Sequence, residues 1–144
     1  GCQAAALVAG LNSEKARKFG EFGRELGLAF QIVDDLLDIL GDERMGKPRG
    51  ADVIEGKMPL PLIHALTLLH GDSRTRLSEV IVGFHDGLWD ELVELLKEAG
   101  SLEYARTLVR NHIDRALHML RQFPESEARN CIESLTQIVM DRYE

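Results

Sequence analysis

Apolar residues recur at spacings of three and four through every long segment of this chain, while the apolar–polar alternation of a strand is scarce. That period suits helices with one buried stripe, so the expected fold is an all-α bundle of roughly six helices. No repeat, low-complexity tract or Ser/Pro-rich linker divides the 144 residues. One compact domain, or a piece of a larger one, fits that length.

The longest periodic run has Asn12 or Ser13 as its N-cap and continues to about Leu40. Phe19, Phe22, Leu26, Ala29, Phe30, Val33, Leu36, Leu37 and Leu40 form its broad apolar face. A polar loop follows from Gly41 to Gly56, with Gly46, Lys47-Pro48 and Gly50 as breakers. Further helices are expected from Leu60 to Leu69, from Asp72 as cap to about Phe84, and from Asp86 to Gly100. Ser101 is expected to cap a helix reaching about Phe123, and Ser126 the last. Trp89, with Leu88, Leu92, Leu95 and Leu96, reads as core or as a subunit contact.

Seventeen Lys and Arg against 24 Asp and Glu leave a formal charge of −7, which lacks the basic footprint of general nucleic-acid binding. No apolar run approaches the roughly 20 residues that a membrane-spanning helix needs. Cys2 and Cys131 have neither metal-ligand nor redox spacing, and a reduced, cytoplasmic setting is the simplest expectation. The five histidines show no ligand spacing on one helix face and are assigned no role. The chain opens without Met in what reads as the middle of a helix, so a fragment is expected.

Chemistry concentrates at Phe30-Gln31-Ile32-Val33-Asp34-Asp35-Leu36-Leu37-Asp38. At about 100° per residue, Gln31, Asp34, Asp35 and Asp38 fall within roughly a 100° arc. Like charges one helical turn apart repel, so the row needs a counterion. Oxygen donors without nearby His or Cys favour a hard cation, and Mg²⁺ commonly takes one or two carboxylates together with phosphate oxygens. The alternative is a solvated polar face. Gly20 and Gly27 share that arc, with Gly23 beside it, although each interior glycine costs roughly 1 kcal/mol against alanine. A face kept small suits either a groove for a bulky apolar ligand or a closely packed neighbouring helix. Arg24 projects there too. Beyond the carboxylates, Lys47 and Lys57 each follow a glycine. As isolated residues they read as surface lysines; combined with the aspartates they suggest a diphosphate clamp.

Phe30-Gln31-x-x-Asp34-Asp35-x-x-Asp38, Gly46-Lys47-Pro48-x-Gly50-x-Asp52 and Glu55-Gly56-Lys57-x-x-Leu60-Pro61 together resemble the second aspartate-rich region of trans-isoprenyl (polyprenyl) diphosphate synthases. Gly100-Ser101-Leu102-Glu103-Tyr104-Ala105-Arg106 and the Ala116-Leu117 to Pro124 stretch are similar to the bacterial octaprenyl type. The resemblance covers essentially the whole chain. It implies the C-terminal half of an isoprenoid-synthase helical bundle, with residues 1–144 forming the C-terminal part of the synthase domain. It also implies Mg²⁺-assisted condensation of an allylic diphosphate with isopentenyl diphosphate, in a homodimeric full-length enzyme. Asp34 is then the direct metal ligand, with Asp35 and Asp38 as further ligands or as support. Asp34, Asp35, Asp38 and Lys47 carry catalysis, while Phe30, Gln31, Lys47 and Lys57 bind substrate. Asp52 orients Lys47 or a metal-bound water, and Arg142 is the candidate C-terminal basic contact.

The family's first aspartate-rich motif and most of its isopentenyl diphosphate ligands are absent from this sequence, which implies that the chain is inactive by itself. The stretch from Asp38 to Lys47 is about one residue shorter than usual, and Pro59 stands for a usual Thr. Three rival readings are a terpene cyclase using the same kind of metal site, a non-catalytic partner subunit, and a plain helical interaction domain. The first makes the Lys-Pro and Glu-Gly-Lys motifs incidental. The second goes with loss of the aspartates or lysines, and all are present here. The third leaves the conjunction of motifs unneeded.

Overall fold

The computed structural model describes residues 1–41, 46 and 48–142. Among them lie eight α-helices and one 3-10 turn: α1 Cys2–Val8, α2 Ser13–Leu40, α3 Ala51–Ile54, α4 Leu60–Leu68, α5 Gly71–Val82, the 3-10 turn Asp86–Leu88, α6 Trp89–Glu98, α7 Ser101–Leu120 and α8 Glu127–Asp141. Among the described residues, no helix is long and apolar enough to cross a membrane. Contacts divide the chain into residues 1–33 with 108–144, and residues 34–107.

Two caps are as expected. Asn12 Oδ1 accepts the Lys15 N–H at 2.9 Å, and Ser126 Oγ accepts that of Arg129 at 3.0 Å, each satisfying an otherwise orphaned donor. Other boundaries differ. Buried Leu69 ends α4 in an extended conformation and His70 stays extended, so α5 restarts at Gly71 and Asp72 falls inside its first turn. Ser101 is the first residue of α7, fully buried, with its Oγ 2.8 Å from His64 Nδ1. Asp86 opens the 3-10 turn; α6 begins at Trp89. Among the described residues the α-helix count exceeds six because α1 and the single-turn α3 are separate elements.

In the first unit, Phe22, Ala116 and Leu120 form a buried cluster bordered by Cys2, Phe19, Leu26, Met119 and Ile132. Phe19 stacks on Phe22 at 5.6 Å and meets Phe123 edge-on at 5.8 Å. The small residues on α2 have a packing explanation here. A Cβ on Gly20 would lie 2.9 Å from Gln3 Cβ, and one on Gly23 would lie 2.8 Å from Cys2 Cβ. Close approach of α1 therefore requires both glycines, whereas Gly27 faces open space. Arg24 is exposed.

The first unit also contains an ion-pair cluster whose partners are far apart in sequence. Glu25 Oε2 lies 2.6 Å from His112 Nδ1 and 3.2 Å from Arg115 Nε. Burial pushes the Glu25 carboxyl upward, but the His112 hydrogen bond and Arg115 outweigh it and leave its pKa below the ordinary value of 4.5. A depressed acid stabilises the folded state above its unfolded pKa and loses that contribution as pH falls through the folded pKa. Stability is therefore expected to decline below about pH 4.5 partly through this group, and Glu25→Gln flattens that decline. Urea midpoints measured across the acid range test it; identical slopes for both proteins would contradict it.

In the second unit, α4, α5 and α6 pack on one another, with Leu62, Leu77, Val80, Leu92 and Leu96 fully buried. Arg76 spans α5 and α6 through both carboxylate oxygens of Glu91, at 2.5 and 2.7 Å. Leu92, Leu95 and Leu96 are core, as expected; Trp89 is half-buried.

Candidate functional site

The three aspartates on α2 occupy three environments. Asp34 is exposed. Half-buried Asp35 accepts the Leu60 N–H through Oδ2 at 2.9 Å. Asp38 is only 6% exposed, and both of its oxygens accept the Asp52 N–H, at 3.1 and 3.2 Å. Burial raises the Asp35 carboxyl; the Leu60 N–H pulls it down, but Asp34 and Asp52 push it up again, so the net shift is upward.

Gly50 and Asp52 are drawn onto this end of α2. The Gly50 N–H donates to the Asp38 carbonyl at 2.6 Å, and Gly50 takes φ +72 at the start of α3. Arg49 grips Asp86 with two donors, at 2.7 and 3.2 Å, and its guanidinium lies 4.2 Å from the centre of the Trp89 ring. The Trp89 indole N–H donates to the Ile39 carbonyl at 2.7 Å. This bracing of the α2 C-terminus was not anticipated from the motifs, because its members are scattered along the chain.

Lys57 is exposed and pairs with Glu55 at 3.0 Å and Asp52 at 3.3 Å. These two acids raise its pKa, Glu55 foremost, so it carries full positive charge at neutral pH. Asp52 thus orients Lys57. Lys47 lies outside the described residues. Phe30 and Gln31 are exposed on α2, one turn before Asp34 and Asp35. Arg142 is exposed at the end of α8. Three histidines without an assigned role make defined contacts: His112 with Glu25, His64, which stacks on Tyr104 at 4.0 Å while meeting Ser101, and His85, whose Nδ1 accepts the Gly87 N–H at 3.1 Å.

Among the described residues, no group of three His, Cys, Asp or Glu side chains is placed to hold a metal ion by itself. The donor set does fit a hard cation that takes only one or two protein carboxylates and fills its shell with phosphate oxygens and water. Asp34 is the exposed member of the row, whereas Asp35 and Asp38 are already engaged with backbone N–H groups.

The polyprenyl synthetase family model matches residues 1–96. The octaprenyl diphosphate synthase of Haemophilus influenzae is 35% identical over 143 residues, covering 97% of this chain and 43% of that protein. A decaprenyl diphosphate synthase structure from Rhodobacter capsulatus superposes with a TM-score of 0.86 at 30% identity, covering 99% of this chain and 45% of the other. A Caulobacter crescentus polyprenyl synthase, solved with calcium and isoprenyl diphosphate, gives a TM-score of 0.83 at 30% identity, with coverage of 99% and 44%. The chain thus spans less than half the length of these proteins.

Proposed function

Because this chain belongs to the polyprenyl synthetase family, we propose that it supplies the second aspartate-rich part of a prenyltransferase site. Its all-helical fold is that of the isoprenoid synthases. In this reading, residues 1–144 are the C-terminal part of a polyprenyl synthase domain, with the motif at 34–38. The whole protein joins an allylic diphosphate to isopentenyl diphosphate, giving a longer trans-polyprenyl diphosphate. A homodimeric assembly and a cytoplasmic location belong to the same reading.

The observation that carries the proposal is the pairing of an exposed Asp34 on α2 with segment 52–60, which is bonded to the same helix and presents the Lys57 cation. Bound Mg²⁺ supplies Lewis acidity and charge neutralisation for the leaving diphosphate. Asp34 offers the ion an oxygen donor. Lys57, held by Asp52 and Glu55, offers ammonium donors to the diphosphate, and Lys47 is assigned the same role from its motif. Gln31 and Phe30 are assigned the substrate contact and the hydrocarbon wall. When the allylic C–O bond breaks and the isopentenyl double bond attacks the cation, the proton lost goes to the released diphosphate, so the chain needs no side-chain base.

Titration calorimetry of the chain with inorganic pyrophosphate is expected to show Mg²⁺-dependent binding. Asp34→Ala should weaken it at least ~10-fold, or about 1.4 kcal/mol. Isopentenyl diphosphate incorporation by the whole protein should fall with the same substitution. Undiminished affinity in Asp34→Ala overturns the proposal.

A further inference from the structure

We infer that Asp35 and Asp38 act as positioning residues: from neighbouring turns of α2 they hold the two ends of segment 52–60 by its N–H groups and thereby fix where Lys57 stands.

The backbone shows why these two N–H groups need outside partners. The first four N–H groups of a helix have no partner inside it. In α4, Pro61 has no N–H, Leu62 and Ile63 donate to the Pro59 carbonyl at 3.0 and 3.3 Å, and Pro59 offers no side-chain cap. The Leu60 N–H remains, and Asp35 accepts it. At α3 the N-cap is Gly50, which has no side chain to offer, and the Asp52 N–H goes to Asp38. Each carboxylate thus does from α2 what a local Ser or Asp cap normally does.

The two holds together constrain the segment between them. Residues three apart on a helix present Cβ atoms about 5–6 Å apart, whereas eight residues of extended chain reach about 26–29 Å. The segment must therefore double back. It does so through the single turn of α3, Gly56 at φ +80, and a Lys57 N–H donating to the Asp52 carbonyl at 2.8 Å. Lys57 Nζ then returns to Asp52 Oδ1. Because Asp52 is itself held by Asp38, the lysine's position is referred to α2, the helix that carries Asp34.

The inference rests on the proposed diphosphate role, and asparagine substitutions separate the two. Asn keeps a hydrogen-bond acceptor but loses the charge, so it rescues a positioning role and fails to rescue a ligand. In calorimetry of the full chain with Mg²⁺ and inorganic pyrophosphate, Asp34→Asn and Asp34→Ala should lose affinity equally. Asp35→Asn should retain at least ~10-fold more affinity than Asp35→Ala, and Asp38→Asn should likewise exceed Asp38→Ala. In parallel, Asp35→Ala should speed Leu60 amide exchange at least ~10-fold, and Asp38→Ala that of Asp52, while the Leu96 amide in α6 stays protected.

Loss in Asp35→Asn as deep as in Asp34→Asn makes Asp35 a ligand and overturns the inference. So does unchanged Leu60 exchange in Asp35→Ala. Equal affinities for Asp34→Asn and the unsubstituted chain, or no Mg²⁺-dependent binding at all, refute the diphosphate reading instead; amide exchange then decides the clamp by itself.

Discussion

Gly50→Ala is expected to destabilise the chain by about 2–4 kcal/mol, from left-handed backbone strain and from overpacking. Gly50 has φ +72, and a Cβ there would lie 2.7 Å from Phe84 Cζ and still nearer to Cε1. Phe84 is buried, 9% exposed, so its ring has little room to yield. Gly50 also donates its N–H to the Asp38 carbonyl, so a shift to relieve the clash also pulls on the segment carrying Lys57. Gly10→Ala is the internal comparison, because Gly10 has φ +86 with nothing within 4 Å of an added Cβ. Strain alone should cost it about 1–2 kcal/mol. Urea unfolding followed by circular dichroism measures both; equal losses would show that the approach of Phe84 does not matter.

Leu36→Ala should cost about 3–5 kcal/mol, because Leu36 is 1% exposed on α2 and its truncation leaves a cavity. Leu36 sits between Asp35 and Asp38 in sequence, on the buried side of the helix. Its loss should therefore release the Leu60 and Asp52 amides to exchange together with global unfolding. Leu28→Ala provides the contrast: Leu28 is 40% exposed on the same helix, and its truncation should cost under ~1 kcal/mol. A Leu36→Ala loss no larger than that of Leu28→Ala would show that this stretch of α2 is not packed as described.

Much of this was readable from periodicity and capping chemistry. The reach of α2 to Leu40, its Asn12 cap and the Ser126 cap are local properties, encoded within four residues of where they act. The acidic face was legible for the same reason. Its division into an exposed Asp34, a shared Asp35 and a buried Asp38 was not, because the N–H groups responsible lie 14 and 25 residues further on. Gly20 and Gly23 left two explanations open, and the second was decided by α1, whose approach to that face of α2 the helical period does not encode. Glu25 and His112 pair across 87 positions, a separation at which spacing conveys nothing.

The indole of Trp89 gives the second unit its own optical reporter. It is the sole tryptophan in the sequence; its N–H is tied to Ile39 and its ring lies under Arg49. Excitation at the red edge of the absorption band selects it over the tyrosines. Changes in its emission then follow the seam between the end of α2 and the loop, without a fluorophore having to be attached.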